Sequence, residues 1–456
     1  MPQPRTSCGL SIIAIALVSG LVLFTFIERN PYMGDESYWI SDGFYCSNLL
    51  AQGDFTWEKW QREGRRENAY ANIPLGKLLT GLPLRITKQK EFWGFYNWSI
   101  SEEKNRTQGR IPPRDTLLAA RMTPACFGVL CCVALFLAAY HCTNLCIGLI
   151  ACALLISNRT FIANIAIATA DAYYNFFLIC VFLASLALLT LSRKSHLAAM
   201  SALIGAAGGL ACSVKITGLP VAAMMVIAAL LYRHAVTKGT YREMLLYIVI
   251  FSFVALLVAF SLNPFLWPSF KDIDITSVVQ EMKLLSRDLI HHTLHTADLL
   301  DRYPQLANLS HPLYLFVMPL RWDEHLQGIA TRLGSGWQSN RMKYRVFHRT
   351  LFVGLATFPG EWFFLLVGFV VCIKKLYSSF MEKKISLWAI PLLYFLCNYF
   401  FILAFMKLNW GRYYLPTIIA GRVIVATGIY ATLSLLIRSG RSIARIFPGQ
   451  LKGPSK

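Results

Sequence analysis

Ten runs of apolar residues recur along the chain, at about 8–27, 116–140, 143–157, 173–191, 197–213, 216–233, 244–266, 350–373, 386–406 and 413–437. A hydrocarbon core of roughly 30 Å needs roughly 20 apolar residues of helix, and most of these runs approach that length. Polar positions gather between the runs rather than alternating through them, which argues against strands. The pattern predicts an all-α polytopic membrane protein with about ten transmembrane helices. Two long segments interrupt the alternation of runs and short loops, Glu28–Asp115 and Pro264–Arg349. The first apolar run is preceded by Arg5 and followed by Ile27-Glu28-Arg29-Asn30, with no small-x-small cleavage pattern, so it reads as an uncleaved anchor.

The short loops set the orientation. Fifteen Lys and Arg residues fall on one side, at 5, 193, 194, 233, 238, 242, 374, 375, 383, 384, 438, 441, 445, 452 and 456. The other side's short connections hold four, Arg159, Lys215, Lys407 and Arg412. Basic loops stay in the cytoplasm, so both termini are expected inside. The expected organisation is a transmembrane core over 1–437, with outer loops at 28–115 and 264–349, and a basic cytoplasmic tail over 438–456. Each outer loop carries helical patterning. "ENAYANIPLGKLLTGLPL" (Glu67 to Leu84) is too short to span and predicts a helix in the interface; "TSVVQEMKLLSRDLIHHTLHTADLL" has apolar positions at helical spacing. "FWGFYNW" suits an interfacial aromatic layer.

Composition agrees with a membrane protein: 55% of residues are hydrophobic and only 15% charged, against about 25% charged in soluble domains. The net charge of +20 is explained by cytoplasmic loops and anionic head groups, and no RNA- or DNA-binding signature accompanies it. Most of the 12 cysteines lie in apolar runs, where they pack as small hydrophobes; Cys46 falls in a polar loop, and no disulfide framework is suggested.

Candidate chemistry gathers at one membrane face. "MGDESYWISDGF" places Asp35 and Glu36 just past the first run, where two carboxylates at a helix start would also suit the helix dipole. "IATADAYYNFF" puts Asp171 at the outer mouth of a span, "GLACSVKITGLP" puts Lys215 between two runs, and "KLNWGRYYLP" puts Lys407 and Arg412 beside the last one. Singly, each charge can be a side chain reaching from a helix end to the interface. Together, acids and bases on one face meet what a lipid-linked phosphate requires: cations at head-group level, aromatics for a sugar and a carboxylate to take a proton. The histidines of "HHTLH" (His291, His292, His295) lack an accompanying carboxylate motif and read as an interfacial cluster; no metal and no cofactor is expected. The sequons at Asn97, Asn105, Asn158 and Asn308 matter only in a eukaryotic lumen.

The order "GDESYW", "NIPLGKLL", "TADAYYNFF", "GLACSVKITGL", "GRYYLP" resembles the glycosyltransferase C superfamily, in its protein O-mannosyltransferase and lipid A aminoarabinose-transferase branch. The resemblance runs from about Gly34 to Pro416. It implies a polyprenyl-phosphate sugar donor, a site on the non-cytoplasmic face, Asp35 as general base and Glu36 as supporting acid. It further implies Arg412, Lys407 and Lys215 at the donor phosphate, with Asp171, Asn72, Lys77 and Tyr413 at the substrate. Members often carry His-Pro-Pro-Leu-Gly-Lys where this chain has Asn72-Ile73-Pro74-Leu75-Gly76-Lys77, which leaves the acceptor open among protein, lipid and glycan. The expected partners are the donor, one such acceptor and membrane lipids, with no nucleic acid. The compact chain favours a bacterial inner membrane over the endoplasmic reticulum. A secondary transporter or flippase is the rival reading, since such proteins also bury charge. A non-catalytic assembly subunit of the same fold is another. Transporters place charge near the bilayer midplane, whereas these charges lie at one face.

Overall fold

The computed structural model describes residues 5–54, 74–97, 100–263, 357–358, 360–405 and 411–446. Among them helices are the only regular elements. In chain order they are α1 (Arg5–Arg29), α2 (Asp35–Ala51), α3 (Pro74–Ile86), α4 (Glu102–Thr107), α5 (Arg114–Cys142), α6 (Leu145–Ile156) and α7 (Arg159–Ile165). Then come α8 (Asp171–Thr190), α9 (Lys194–Val214), α10 (Gly218–Thr237), α11 (Tyr241–Ser261), α12 (Glu361–Met381), α13 (Ala389–Phe405), a 3-10 turn (Gly411–Tyr414) and α14 (Leu415–Ile446).

Every predicted run contains a helix, but the runs do not all become full spans. Eight helices among the described residues are long and apolar enough to cross a membrane. The run at 143–157 becomes α6, of 12 residues, followed by α7 after a bend of 66°. Asn144 and Asn158 explain the break: each side chain accepts a backbone N–H of the helix that follows it, from Ile147 at 3.0 Å and Phe161 at 2.9 Å. Two N-caps only 14 positions apart leave room for two short helices and no more. The run placed at 350–373 is corrected. Its helix runs Glu361–Met381, starting after Gly360, whose φ of +81° a side chain would strain, and it carries Lys374 and Lys375 on its exposed surface rather than in a loop.

α8 is the most buried of the candidate spans and packs against α5, α9 and α10, while α14 packs against α6, α12 and α13. Outward-facing Leu10, Leu21, Leu245, Phe253 and Val370 are exposed on α1, α11 and α12, where lipid is the fitting solvent. This is an integral membrane protein.

The described parts of the first loop, 28–54, 74–97 and 100–115, pack on one another. The segment around Pro74, expected as a helix in the interface, forms the helix α3, which crosses α2 at a backbone contact. A Cβ on Gly81 would sit 2.1 Å from the Gly43 carbonyl oxygen, so both positions need hydrogen as a side chain. Gly81→Ala is expected to push the helices apart and cost about 1–3 kcal/mol of stability. Thermal unfolding of the purified protein checks this, and a wild-type melting temperature would contradict the packing. In "FWGFYNW", expected as an interfacial aromatic layer, the rings divide between the protein interior and the surface. Phe92 and Tyr96 are buried against the protein, Ser41 Oγ donates to Gly94 O at 2.9 Å, and only Trp93 among these three rings is exposed. Cys46 is likewise not in a polar loop but buried in α2. The amphipathic segment around residues 276–300 and the three histidines lie outside the described residues.

Two sequons are spent on structure. Asn105 is fully buried and its Nδ2 donates to the carbonyls of Asn97, Ile100 and Ser101. Asn158, fully buried too, caps α7. Neither is expected to be glycosylated in the folded protein expressed in a eukaryotic host. Peptide mass spectrometry showing glycan on either asparagine would contradict these contacts.

Candidate active site

Four charged side chains from distant segments meet at the ends of α2, α8, α9 and the 3-10 turn. Asp35 opens α2, where its carboxylate suits the helix N-terminus. Its Oδ2 accepts from Arg412 Nη1 at 2.8 Å, a pair 377 positions apart in the chain. Asp171 opens α8; its Oδ1 pairs with Lys215 Nζ and its Oδ2 accepts from Thr169 Oγ1 at 3.1 Å. Lys215 is the residue at which α9 ends, held there by its own N–H on Ala211 O, with Gly218 and α10 following immediately. Burial lowers the Lys215 pKa; the Asp171 charge opposes that, Arg412 adds to it and Asp35 opposes it again, so all four groups lie within electrostatic reach. The Lys215 ammonium also stands 5.5 Å from the centre of the Tyr174 ring.

The two pairs differ in exposure at their carboxylates. The Asp35 and Arg412 side chains are 25% and 14% exposed, and Lys215 is 18% exposed, whereas Asp171 is only 2% exposed. Asp35 is thus the more accessible of the two carboxylates, and the two cations are about equally accessible.

Glu36, next to Asp35, points into the protein. It is fully buried and its carboxylate takes four hydrogen bonds: Arg121 Nε at 2.7 Å and Ala168 N–H at 2.9 Å on Oε1, Arg121 Nη2 at 2.6 Å and Met33 N–H at 3.0 Å on Oε2. Arg121 spends its remaining donors on the carbonyls of Ile27, Asn30 and Pro31, where α1 ends. One ion pair thus fastens α1, α2, α5 and the turn before Asp171 to each other. Both oxygens of Glu36, expected as the supporting acid, are engaged in these contacts.

Lys77, expected at the substrate, is buried on α3 and pairs with Asp42 at 2.8 Å. Asp42 lies two helical turns beyond Asp35 on the same side of α2. Tyr32 is half-buried between α1 and α2, its ring 5.7 Å from Tyr96 and its hydroxyl bonded to Ser37; desolvation pushes the phenol far above its usual range, so it serves as a hydrogen-bonding group and not as a base. Asn72 and Lys407 lie outside the described residues, as does the Tyr413 side chain, although its backbone belongs to the 3-10 turn.

Sequence reasoning passed over Arg121, Asp42 and a second buried pair, Glu361–Arg422. The Arg422 guanidinium reaches Glu361 Oε1 and Thr357 Oγ1, and Thr357 Oγ1 donates to Leu154 O at 3.2 Å, which clamps α12 and α14 to the end of α6. The signal was present. Arg121 and Arg422 stand inside apolar runs, and a charge there calls for a partner. Among the described residues no three His, Cys, Asp or Glu side chains gather as a metal ligand set.

The helical architecture has known counterparts. The oligosaccharyltransferase of Archaeoglobus fulgidus, solved with zinc and sulfate, superposes with a TM-score of 0.52 at 11% identity, covering 96% of this chain and 51% of that one. The chain has the glycosyltransferase C fold. ArnT from Cupriavidus metallidurans in the apo state is also similar, with a TM-score of 0.48, 13% identity, and coverage of 93% of this chain and 59% of that one. So is the Pmt1-Pmt2 O-mannosyltransferase complex of S. cerevisiae bound to its sugar donor, with a TM-score of 0.39, 16% identity, and coverage of 61% and 35%. The family model described as dolichyl-phosphate-mannose-protein mannosyltransferase matches residues 74–273. That segment contains Lys77, Asp171 and Lys215 but neither Asp35 nor Arg412. No curated protein matches the sequence. The chain spans 59% of the ArnT chain and 51% of the archaeal one.

Proposed function

We propose that this protein transfers a sugar from a polyprenyl-phosphate-linked donor to an acceptor on the non-cytoplasmic face of the membrane. The observation that carries the reading is the Asp35–Arg412 pair, a carboxylate and a guanidinium side by side, partly exposed and within electrostatic reach of Lys215. The family match over 74–273 supports it. The donor's prenyl tail lies in the bilayer, and its phosphate is received by Arg412 with Lys215, and with Lys407 from the same motif. Arg suits a phosphate because its planar fork bonds two oxygens at once. Asp171 keeps Lys215 charged and in place. Asp35 takes the proton of an acceptor hydroxyl while that oxygen attacks the anomeric carbon, and the phosphate leaves from the opposite side with inversion. Were the acceptor itself a phosphate it would need no base, and Asp35 would position it. The loops 28–115 and 264–349 lie on the face that carries the site, the tail 438–456 on the other, and a bacterial inner membrane is the setting proposed.

Purified protein incubated with a panel of prenyl-phosphate sugars tests the reading. Release of free prenyl phosphate from at least one donor in the presence of acceptor is expected. No release from any donor, with movement of lipid or sugar across proteoliposomes, would establish the transporter reading instead.

A further inference from the structure

The Asp35–Arg412 contact presents a difficulty for the mechanism just given, and its solution is informative. The Asp35 Oδ2 that accepts from Arg412 Nη1 at 2.8 Å is withheld from an acceptor proton, and the Nη1 donor is withheld from a phosphate. Both groups are needed free at the same moment. We propose that Asp35 and the donor phosphate compete for Arg412, so that the guanidinium passes from the base to the leaving group as the sugar is transferred. The inference rests on the proposed donor class and adds a second role for Arg412.

Several observations favour this pair as the one that opens. Its carboxylate is 25% exposed against 2% for Asp171, which Thr169 braces as well as Lys215. Arg412 sits on a four-residue 3-10 turn ahead of α14, and such turns hold their backbone less firmly than an α-helix does. Charge counting points the same way. Asp35, Asp171, Lys215 and Arg412 sum to zero, so an entering phosphodiester, with one negative charge, meets two cations that each already hold a carboxylate.

The step balances. The acceptor O–H bond breaks and its proton goes to Asp35, while the acceptor oxygen bonds the anomeric carbon. The bond from that carbon to the phosphate oxygen breaks, and the electron pair leaves with the phosphate, which goes from one negative charge to two. Asp35, now neutral, no longer holds Arg412, just as the leaving group's need for a cation doubles. When the proton moves on to the phosphate or to water, Asp35 regains its charge, recaptures Arg412 and helps expel prenyl phosphate. The same carboxylate that starts the reaction therefore weakens the grip on its product.

The test is a binding cycle on the full chain in nanodiscs, titrated with undecaprenyl phosphate and, separately, dolichyl phosphate. Asp35→Asn is expected to bind prenyl phosphate roughly fivefold tighter than wild type, the scale of one partly exposed ion pair. Arg412→Gln should bind more weakly, and Asp35→Asn with Arg412→Gln no tighter than Arg412→Gln alone. Asp35→Ser must reproduce the tightening if Asn disturbs folding, which melting temperatures report. Unchanged or weaker binding by the neutral variants overturns the proposal. So does equal tightening in the Arg412→Gln background, because simple charge repulsion by Asp35 would then explain it. If wild type turns over a prenyl-phosphate sugar and the cycle shows no coupling, only the competition fails. If wild type releases prenyl phosphate from no donor, the underlying function fails.

Discussion

Asp35→Asn is expected to lower glycosyl transfer by about 10²–10⁴-fold, the usual contribution of a positioned general base. The same substitution should leave the protein folded. Asn has nearly the shape of Asp and can still accept a hydrogen bond from Arg412, and a partly exposed ion pair contributes only about 0–1 kcal/mol. Turnover measured on protein with a wild-type melting temperature separates the two effects. Wild-type turnover by this variant would remove Asp35 from the chemistry and leave it as a helix-terminal charge.

The neighbouring acid should behave in the opposite way. Arg121→Ala is expected to destabilise the protein by about 3–5 kcal/mol, because it strands the fully buried Glu36 carboxylate without its counter-charge. Glu36→Gln should be milder but in the same direction, losing stability and activity together rather than activity alone. Replacing both, as Glu36→Leu with Arg121→Met, removes the stranded charge and should recover much of the loss. The Met33 and Ala168 N–H groups that Glu36 satisfies would still lack acceptors, so recovery should be incomplete. Thermal unfolding of the three variants decides this. An Arg121→Ala protein as stable as wild type would show that Glu36 is not a structural tie.

These contrasting expectations for adjacent residues show what sequence alone could and could not resolve. Asp35 and Glu36 differ by one position, and successive helical side chains point about 100° apart. Which of them faces the site depends on where Arg121 lies, 85 positions further on, and no local pattern encodes that. The ten apolar runs were legible because a bilayer imposes a length and a composition on any helix that crosses it. Their lengths were less so. The Asn144 and Asn158 caps shorten one run into a bent pair, and the left-handed Gly360 moves another start to Glu361. Lys77 was legible as a charge on an interfacial helix, but not its burial against Asp42, which needs the Gly43–Gly81 contact to bring α2 and α3 together. The grouping of Asp35, Asp171, Lys215 and Arg412 on one face followed from counting crossings between them. Their pairing followed only from the fold.

The central claim is that residues 35 and 412 share one site on one membrane face, and thiol cross-linking tests it most directly. In a background with the native cysteines replaced, Asp35→Cys combined with Arg412→Cys should be joined within one chain by a short bifunctional thiol reagent in intact membranes, its spacer replacing the length of the arginine side chain. Before cross-linking, both positions should react with a membrane-impermeant maleimide added from the non-cytoplasmic side. Absence of the cross-link, with the two cysteines labelled from opposite sides, would contradict the account.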